Sequence, residues 1–170
     1  MLIMGIDPGI AITGYGIIEA GHSRYRLIDY GCIRTAPRVP VQERLLKLHQ
    51  GIGMLVEQYT PDCMAIEQLF FNRNTTTAIP VGQARGVILL AAAEHQLAVS
   101  EYTPLQVKQA IVGYGRAEKT QIQFMVMRLL KMKNIPKPDD AADALAIAIS
   151  HAHYYTTRQL RDDQGREQEN

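Results

Sequence analysis

Short apolar runs separated by turn residues dominate the first part of the chain. Leu2 to Asp7 is apolar up to an Asp-Pro-Gly turn, Thr13 to Glu19 is a second run, and Arg24 to Ile33 alternates between polar and apolar residues. Such runs are typical of β-strands, in which alternate residues face the same side. Because the links between them are short, they predict an antiparallel meander.

The pattern then changes to alternating helices and strands. Apolar residues recur at helical spacing after Pro40, and Cys63 to Glu67 reads as a buried strand. Further along we predict a loop over Phe70 to Thr77, a helix over Ala84 to Gln96, a strand over Leu97 to Tyr102, and helices over Pro104 to Val112, Thr120 to Met132 and Asp139 to His153. This order predicts an α/β fold, a mixed five-stranded sheet with helices on both faces. We expect one domain over residues 1–153 and a polar, flexible tail over residues 154–170.

Composition narrows the class of protein. The 170 residues are 46% hydrophobic and 21% charged, as in globular domains. The longest apolar run, Val87 to Ala93, is too short to cross a membrane, and we find no secretory signal pattern at the N-terminus. Cys32 and Cys63 form no CxxC pair, so we expect reduced thiols in a cytoplasmic protein. The net charge of +1 neither supports nor excludes nucleic acid as a partner.

Four acidic residues stand where an isolated charge is costly. Asp7 and Glu67 each end an apolar strand, and Asp140 and Asp143 lie in a helix rich in Ala, Leu and Ile. Residues three apart share a helix face, and small alanines let that helix pack close to a sheet. Clustered carboxylates suit Mg²⁺ or Mn²⁺, and a pair of such ions can activate water and stabilise the leaving oxygen of a phosphodiester.

Each acid also has a simpler explanation. Asp7 can be a turn residue before Pro-Gly, and Glu67 can pair with an arginine. Asp139 and Asp140 can cap the helix, which is the interpretation we favour for Asp139. Asp143 resists this reading because it lies inside an apolar helix face. Spacing alone therefore predicts a metal site without identifying its substrate.

Seven short segments add a family resemblance. In chain order they are Gly5-Ile6-Asp7-Pro8-Gly9, Thr13-Gly14-Tyr15-Gly16, Ala65-Ile66-Glu67-Gln68, Gly82-Gln83-Ala84-Arg85-Gly86, Gln106-Val107-Lys108-Gln109, Ala117-Glu118-Lys119 and Asp140-Ala141-Ala142-Asp143-Ala144-Leu145-Ala146. Each is weak alone, but together, over residues 2–153, they resemble the RuvC family of Holliday-junction resolvases. The resemblance implies a ribonuclease-H-like fold in which the catalytic, metal-binding carboxylates are Asp7, Glu67, Asp140 and Asp143. Some relatives carry His at the position of Asp140, where the adjacent Asp139 is a competing ligand.

The resemblance also implies an activity and partners. Family members work as cytoplasmic homodimers in recombination and DNA repair, with the RuvA–RuvB branch-migration complex. They nick two strands of like polarity symmetrically across a four-way junction and leave 5′-phosphate ends. The implied cofactor is a pair of Mg²⁺ ions per site, with Mn²⁺ as a substitute. The apolar segment Gly86 to Ala93 is either a dimer interface or core.

Six residues are expected to contact DNA: Phe70, Arg73, Arg85, Lys108, Arg116 and Lys119. The resemblance favours Lys108 and Lys119 as phosphate contacts and Phe70 as a residue that stacks on an unpaired base. Phe71 then anchors its loop to the core. Without the resemblance, each basic residue reads as a solvated surface side chain.

Three rival functions remain at this point. The nearest is another nuclease of the same fold, such as a YqgF-like resolvase or a ribonuclease H acting on RNA–DNA hybrids, and substrate choice separates these. The actin-like and sugar-kinase phosphotransferases need two such domains, and 170 residues supply one. A protein that binds junctions without cutting them has no use for four clustered carboxylates, whose charge repels DNA.

Overall fold

The chain forms a mixed five-stranded sheet in a computed structural model. The model describes residues 1–21, 24–68 and 75–167. At 75–77 and 158–167 only the backbone is described. The strands are β1 (Leu2–Asp7), β2 (Ile12–Ala20), β3 (Tyr25–Arg34), β4 (Cys63–Glu67) and β5 (Ala98–Tyr102). Their order across the sheet is β3-β2-β1-β4-β5. The first three pair antiparallel, whereas β4 and β5 continue the sheet parallel to β1. The predicted meander and mixed sheet are confirmed.

Helices cover both faces of this sheet. In the described ranges they are α1 (Val41–Tyr59), α2 (Thr75–Glu94), α3 (Pro104–Val112), α4 (Lys119–Leu129) and α5 (Asp139–Glu167). Met4 and Ile6 of β1 belong to the core under α1 and α2, whereas Ile3 belongs to the core under α3, α4 and α5. Because side chains alternate along a strand, Gly5 and Asp7 share the face of Ile3.

Two helix boundaries differ from the predictions by more than three residues. α2 begins at Thr75, more than two turns before Ala84, so the predicted loop is wrong over its last residues. Pro80 inside the helix removes one backbone donor, and the preceding threonines give no apolar pattern, which together hid this segment. α5 continues past His153 to Glu167. The division into a domain of residues 1–153 and a tail stays a prediction.

The thiols and the helix lengths agree with what composition predicts. Cys32 is half-buried, Cys63 is buried, and neither forms a disulfide. Within the described ranges, no helix is both long and apolar enough to span a bilayer.

Helix α5 lies close to β1 and β2 because both contacting surfaces are built from small residues. A Cβ atom added to Gly5 would stand 2.7 Å from the backbone nitrogen of Ala148, and one added to Gly14 would overlap the carbonyl oxygen of Asp140. On the helix side, Ala144 and Ala148 are fully buried. Since Gly14 pairs with Asp7 across β1 and β2, this contact sets the first turn of α5 beside Asp7.

We predict that Gly14→Ala destabilises the protein by about 3 kcal/mol, because the added methyl group forces backbone apart rather than a flexible side chain. Urea denaturation of the metal-free protein measures the change. Gly82→Ala is the control, since its Cβ meets nothing within 4 Å. It should raise stability by about 0.5–1 kcal/mol through helix propensity. Equal stability of Gly14→Ala and the parent would contradict the close-approach model.

Candidate active site

The register of two parallel strands places Asp7 beside Glu67. Ile6 lies opposite Ile66, so the next residue of each strand ends it at the same edge of the sheet. Both carboxyl groups are partly buried on the α5 face. They lie close enough for the charge of Glu67 to raise the pKa of Asp7.

The first turn of α5 adds Asp140 and Asp143 to this pair. Burial, and then the negative charges of Glu67, Asp143 and Asp140, raise the pKa of Asp7 to about 7. Burial and the charge of Asp143 likewise raise the pKa of Glu67. The four carboxyl groups predicted from the sequence therefore lie close enough to interact electrostatically. Their negative charges repel one another at neutral pH.

Lys119 is the cation that faces this cluster. Its Nζ donates to Asp143 Oδ2 at 2.8 Å and lies 3.7 Å from Asp139 Oδ2. The hydrogen bond to Asp143 raises the pKa of Lys119. Lys119 is the first residue of α4, and Gln121 secures that helix start by accepting a hydrogen bond from the backbone N–H of Glu118 at 2.9 Å.

The donor set has the chemistry of a site for a hard divalent cation. All four side chains offer oxygen, and the pKa values of Asp7 and Glu67 are raised by burial and by negative charge that a bound cation would offset. As they stand, no three Asp, Glu, His or Cys side chains of the described ranges converge on a single ion position. Asp143 is engaged by Lys119 instead. Metal binding at these residues therefore requires small side-chain rotations.

Asp139 is paired with the side chains of Lys137 and Lys119. It is the first helical residue of α5, one position after the cap, and its Oδ1 accepts a hydrogen bond from Lys137 Nζ at 2.9 Å. This bond lowers the pKa of Asp139. The capping role that we favoured for it is not observed, and Asp139 is absent from the charges that raise the pKa of Asp7.

A cleft of about 200 Å³ opens beside the carboxylates. Glu67, Asp143, Lys108 and Lys119 all line it, with apolar residues of α3 and α5 behind them. The position of α3 is fixed by a capping box, in which Thr103 and Gln106 bond each other's backbone N–H groups. The structure thus brings two of the predicted DNA contacts, Lys108 and Lys119, to the cleft that Glu67 and Asp143 line.

The other predicted DNA contacts have different outcomes. Arg116 is exposed on the loop between α3 and α4. Arg85 does not line the cleft, because its guanidinium forms a salt bridge of 2.6 Å to Glu101 of β5 and its side chain is only 14% exposed. Phe70 and Arg73, like Phe71, lie outside the described residues.

Comparison with known proteins decides the family. Residues 3–151 match the profile of the family described as crossover junction endodeoxyribonuclease RuvC. The chain belongs to the RuvC family. The RuvC protein of Desulforamulus reducens is 60% identical over 157 residues, which cover 92% of this chain and 96% of the relative. The RuvC protein of Desulfitobacterium hafniense is 63% identical over 153 residues, 90% and 93% of the two chains.

A solved structure agrees with this assignment. The structure of Thermus thermophilus RuvC in complex with Holliday junction substrate superposes with a TM-score of 0.88 at 39% identity, covering 92% of this chain and 96% of that one. The ribonuclease-H-like fold expected from the resemblance is thereby confirmed. RuvC proteins are divalent-metal-dependent nucleases, which accords with the carboxylate cluster of this member.

Two features of the RuvC site escaped sequence reasoning. Gly5 and Gly14 were read only as parts of family segments, although they are the positions that admit α5 to the sheet. The sequence did contain a signal for this close packing. Both glycines lie on a strand face that bears core residues or the predicted site residues, and the chain also contains an alanine-rich helix that could pack against that face. The pairing of Lys119 with Asp143 joins residues 24 positions apart and had no local signal.

We predict that metal-free protein loses stability as pH rises from about 5 to 8, and that Asp7→Asn loses less. A carboxyl group with a folded-state pKa near 7 and an ordinary unfolded value binds its proton more tightly when folded, so its contribution disappears as pH rises through 7. Urea denaturation in EDTA at several pH values measures the two slopes. Parallel slopes for the parent and Asp7→Asn would contradict the raised pKa.

Proposed function

We propose that this chain resolves Holliday junctions by symmetric, metal-dependent hydrolysis of phosphodiesters, leaving 5′-phosphate nicks, in homologous recombination and DNA repair in the cytoplasm. The observation that carries the proposal is the meeting of Asp7, Glu67, Asp140 and Asp143 at one end of the sheet in a RuvC chain. The junction-bound structure of the Thermus thermophilus protein supports the choice of substrate.

The four carboxylates are the residues that would hold the metal. We propose Mg²⁺, with Mn²⁺ as a substitute and a pair of ions per site. Bound there, the ions would activate a water molecule and stabilise the leaving oxygen of the scissile phosphodiester. Asp7 must release its proton to become a ligand, and with a pKa near 7 it does so close to neutral pH.

Basic residues of the cleft orient the phosphate. Lys108 and Lys119 stand on two walls of the cleft that holds Glu67 and Asp143. Lys119 now pairs with Asp143, and it would be free to bind a phosphate oxygen of the strand if Asp143 held a metal ion instead. Arg116 extends this positive surface along the loop. The roles of Phe70 and Arg73 rest on the family resemblance.

A homodimer would match the two-fold symmetry of a four-way junction. α2 offers the surface for it, because its exposed positions Ile79, Gln83, Gly86, Leu90 and Ala93 recur at spacings of four and three. Positions at this spacing form a stripe along one side of a helix, as in helices that pack against a second helix. Gly86 at the centre of the stripe permits close approach of the partner helix. Ile79 and Leu90 are 70% and 54% exposed in the single chain.

The predicted interface segment is therefore partly core. Ile88, Ala91 and Ala92 are buried against the sheet, and only the stripe on the opposite side of α2 faces outward. Association with the RuvA–RuvB complex rests on the resemblance alone and is part of the proposal.

We predict that Asp7→Asn and Asp143→Asn each slow junction cleavage by more than about a thousandfold, because each variant loses a charged metal ligand. Single-turnover cleavage of a labelled four-way junction in Mg²⁺ measures the rate, and gel-shift titration should show junction binding retained. Asp139→Asn is the matched control, since Asp139 pairs with Lys137 and should leave the rate within about threefold. Cleavage of linear duplex or RNA–DNA hybrid at a comparable rate would assign a different substrate.

We predict that Leu90→Glu converts the dimer to a monomer, because it places a charge within the exposed stripe of α2. Light scattering after size exclusion measures the mass. The monomer should make single nicks in place of paired ones, measured on a supercoiled plasmid carrying a junction. Ile135→Glu, at an exposed site before α5, is the control and should stay dimeric. A parent protein that is monomeric in solution would overturn the interface.

A further inference from the structure

A second cleft lies next to the catalytic one, between α3 and α4. The catalytic cleft is lined on these helices by Lys108 and Ile122, among others. The second, of about 500 Å³, is lined further along α3 by Val112 and on α4 by Thr120 and Phe124. Because Lys119 lines the first opening and the next residue, Thr120, lines the second, the two openings meet at the start of α4, and we name the second the aromatic cleft.

Two aromatic side chains border the aromatic cleft and face outward. Tyr114 is 49% and Phe124 is 51% exposed. Tyr114 follows Gly113, which ends α3 in the left-handed conformation. The chain turns sharply there, and the tyrosine lies at the border of the aromatic cleft. Exposed aromatic rings at a cleft, unlike scattered surface apolar residues, mark a binding surface.

The surroundings of the aromatic cleft are those of a nucleic-acid path. Arg116 is exposed on the loop that joins α3 to α4, and Lys119 begins α4 at the boundary between the two clefts. A cationic rim combined with aromatic rings is the arrangement that binds single-stranded nucleic acid, in which cations follow the backbone and rings stack on bases. A protein partner docking there would crowd the strand that enters the catalytic cleft.

We propose that the aromatic cleft is a nucleobase subsite, in which Tyr114 and Phe124 receive an unstacked base of the strand being cut. The inference rests on the proposed junction-cleaving function, since it takes the scissile strand to lie in the catalytic cleft. A strand whose phosphate contacts Lys119 passes directly into the neighbouring opening, and 500 Å³ accommodates a base. The subsite adds affinity and selects the position of the cut.

Photocrosslinking tests this placement without cleavage. Junctions carrying 5-iodouracil at each of several positions around the nick are bound to the Asp7→Asn protein and irradiated, and the crosslinked peptide is sequenced. We expect Tyr114 or Phe124 to be crosslinked from one position within about three nucleotides of the cut. Crosslinks found only outside residues 111–125 would overturn the subsite.

Variants separate stacking from mere apolar contact. Phe124→Ala and Tyr114→Ala should weaken junction binding by about tenfold each and shift the distribution of cut positions, whereas Phe124→Tyr should restore both. Phe124→Leu, which keeps an apolar side chain but no ring, should behave like Phe124→Ala. Leu46→Ala, at an exposed site on α1, is the control.

The outcomes distinguish this inference from the proposed function. Normal binding and normal cut positions in all these variants would overturn the subsite and leave the resolvase intact. Unchanged junction cleavage combined with loss of binding to a protein partner would identify the aromatic cleft as a docking surface instead. A parent protein that neither binds nor cuts junctions would defeat the proposed function first.

Discussion

The close packing of α5 on β1 and β2 is the constraint on which the rest of the structure depends. Strands β1 and β4 alone bring together Asp7 and Glu67, which is half of the carboxylate cluster. The other half arrives only because the sheet has no side chain at Gly5 and Gly14 and the helix presents alanines there. A larger residue at either position would force α5 outward and carry Asp140 and Asp143 away from Asp7 and Glu67.

The same packing stores electrostatic repulsion at the site. Burial and the negative charges of its three carboxylate neighbours raise the pKa of Asp7, and the ammonium group of Lys119 offsets only part of this effect. The fold tolerates this because the cores on both faces of the sheet are apolar and closely packed. A divalent cation would relieve the repulsion, so cation binding and the stability of this end of the sheet are thermodynamically linked.

Local patterns predicted the parts of the fold that depend on local chemistry. β1, β4 and α3 begin and end where their apolar runs and flanking turn residues indicate, and Asp143 was conspicuous because it interrupts an apolar helix face. Contacts with residues distant in the chain could not be predicted from it. The salt bridge between Arg85 and Glu101 had no local signal, and Pro80 hid the start of α2 because packing against α1 and β5 maintains a helix that its sequence disfavours.

The sheet also separates the carboxylate cluster from the surface proposed for dimerisation. Asp7 and Glu67 face α5, whereas α2 covers the opposite face, so a change in the outward stripe of α2 meets neither carboxylate. Paired cutting nevertheless needs both the carboxylates and the dimer contact. Two active sites can cut two strands together only if the dimer contact holds the sites at a fixed separation and angle. In the proposed dimer the rigid layer between α2 and α5 transmits that geometry. The sheet is therefore the element that couples the two-fold axis to the position of each metal site.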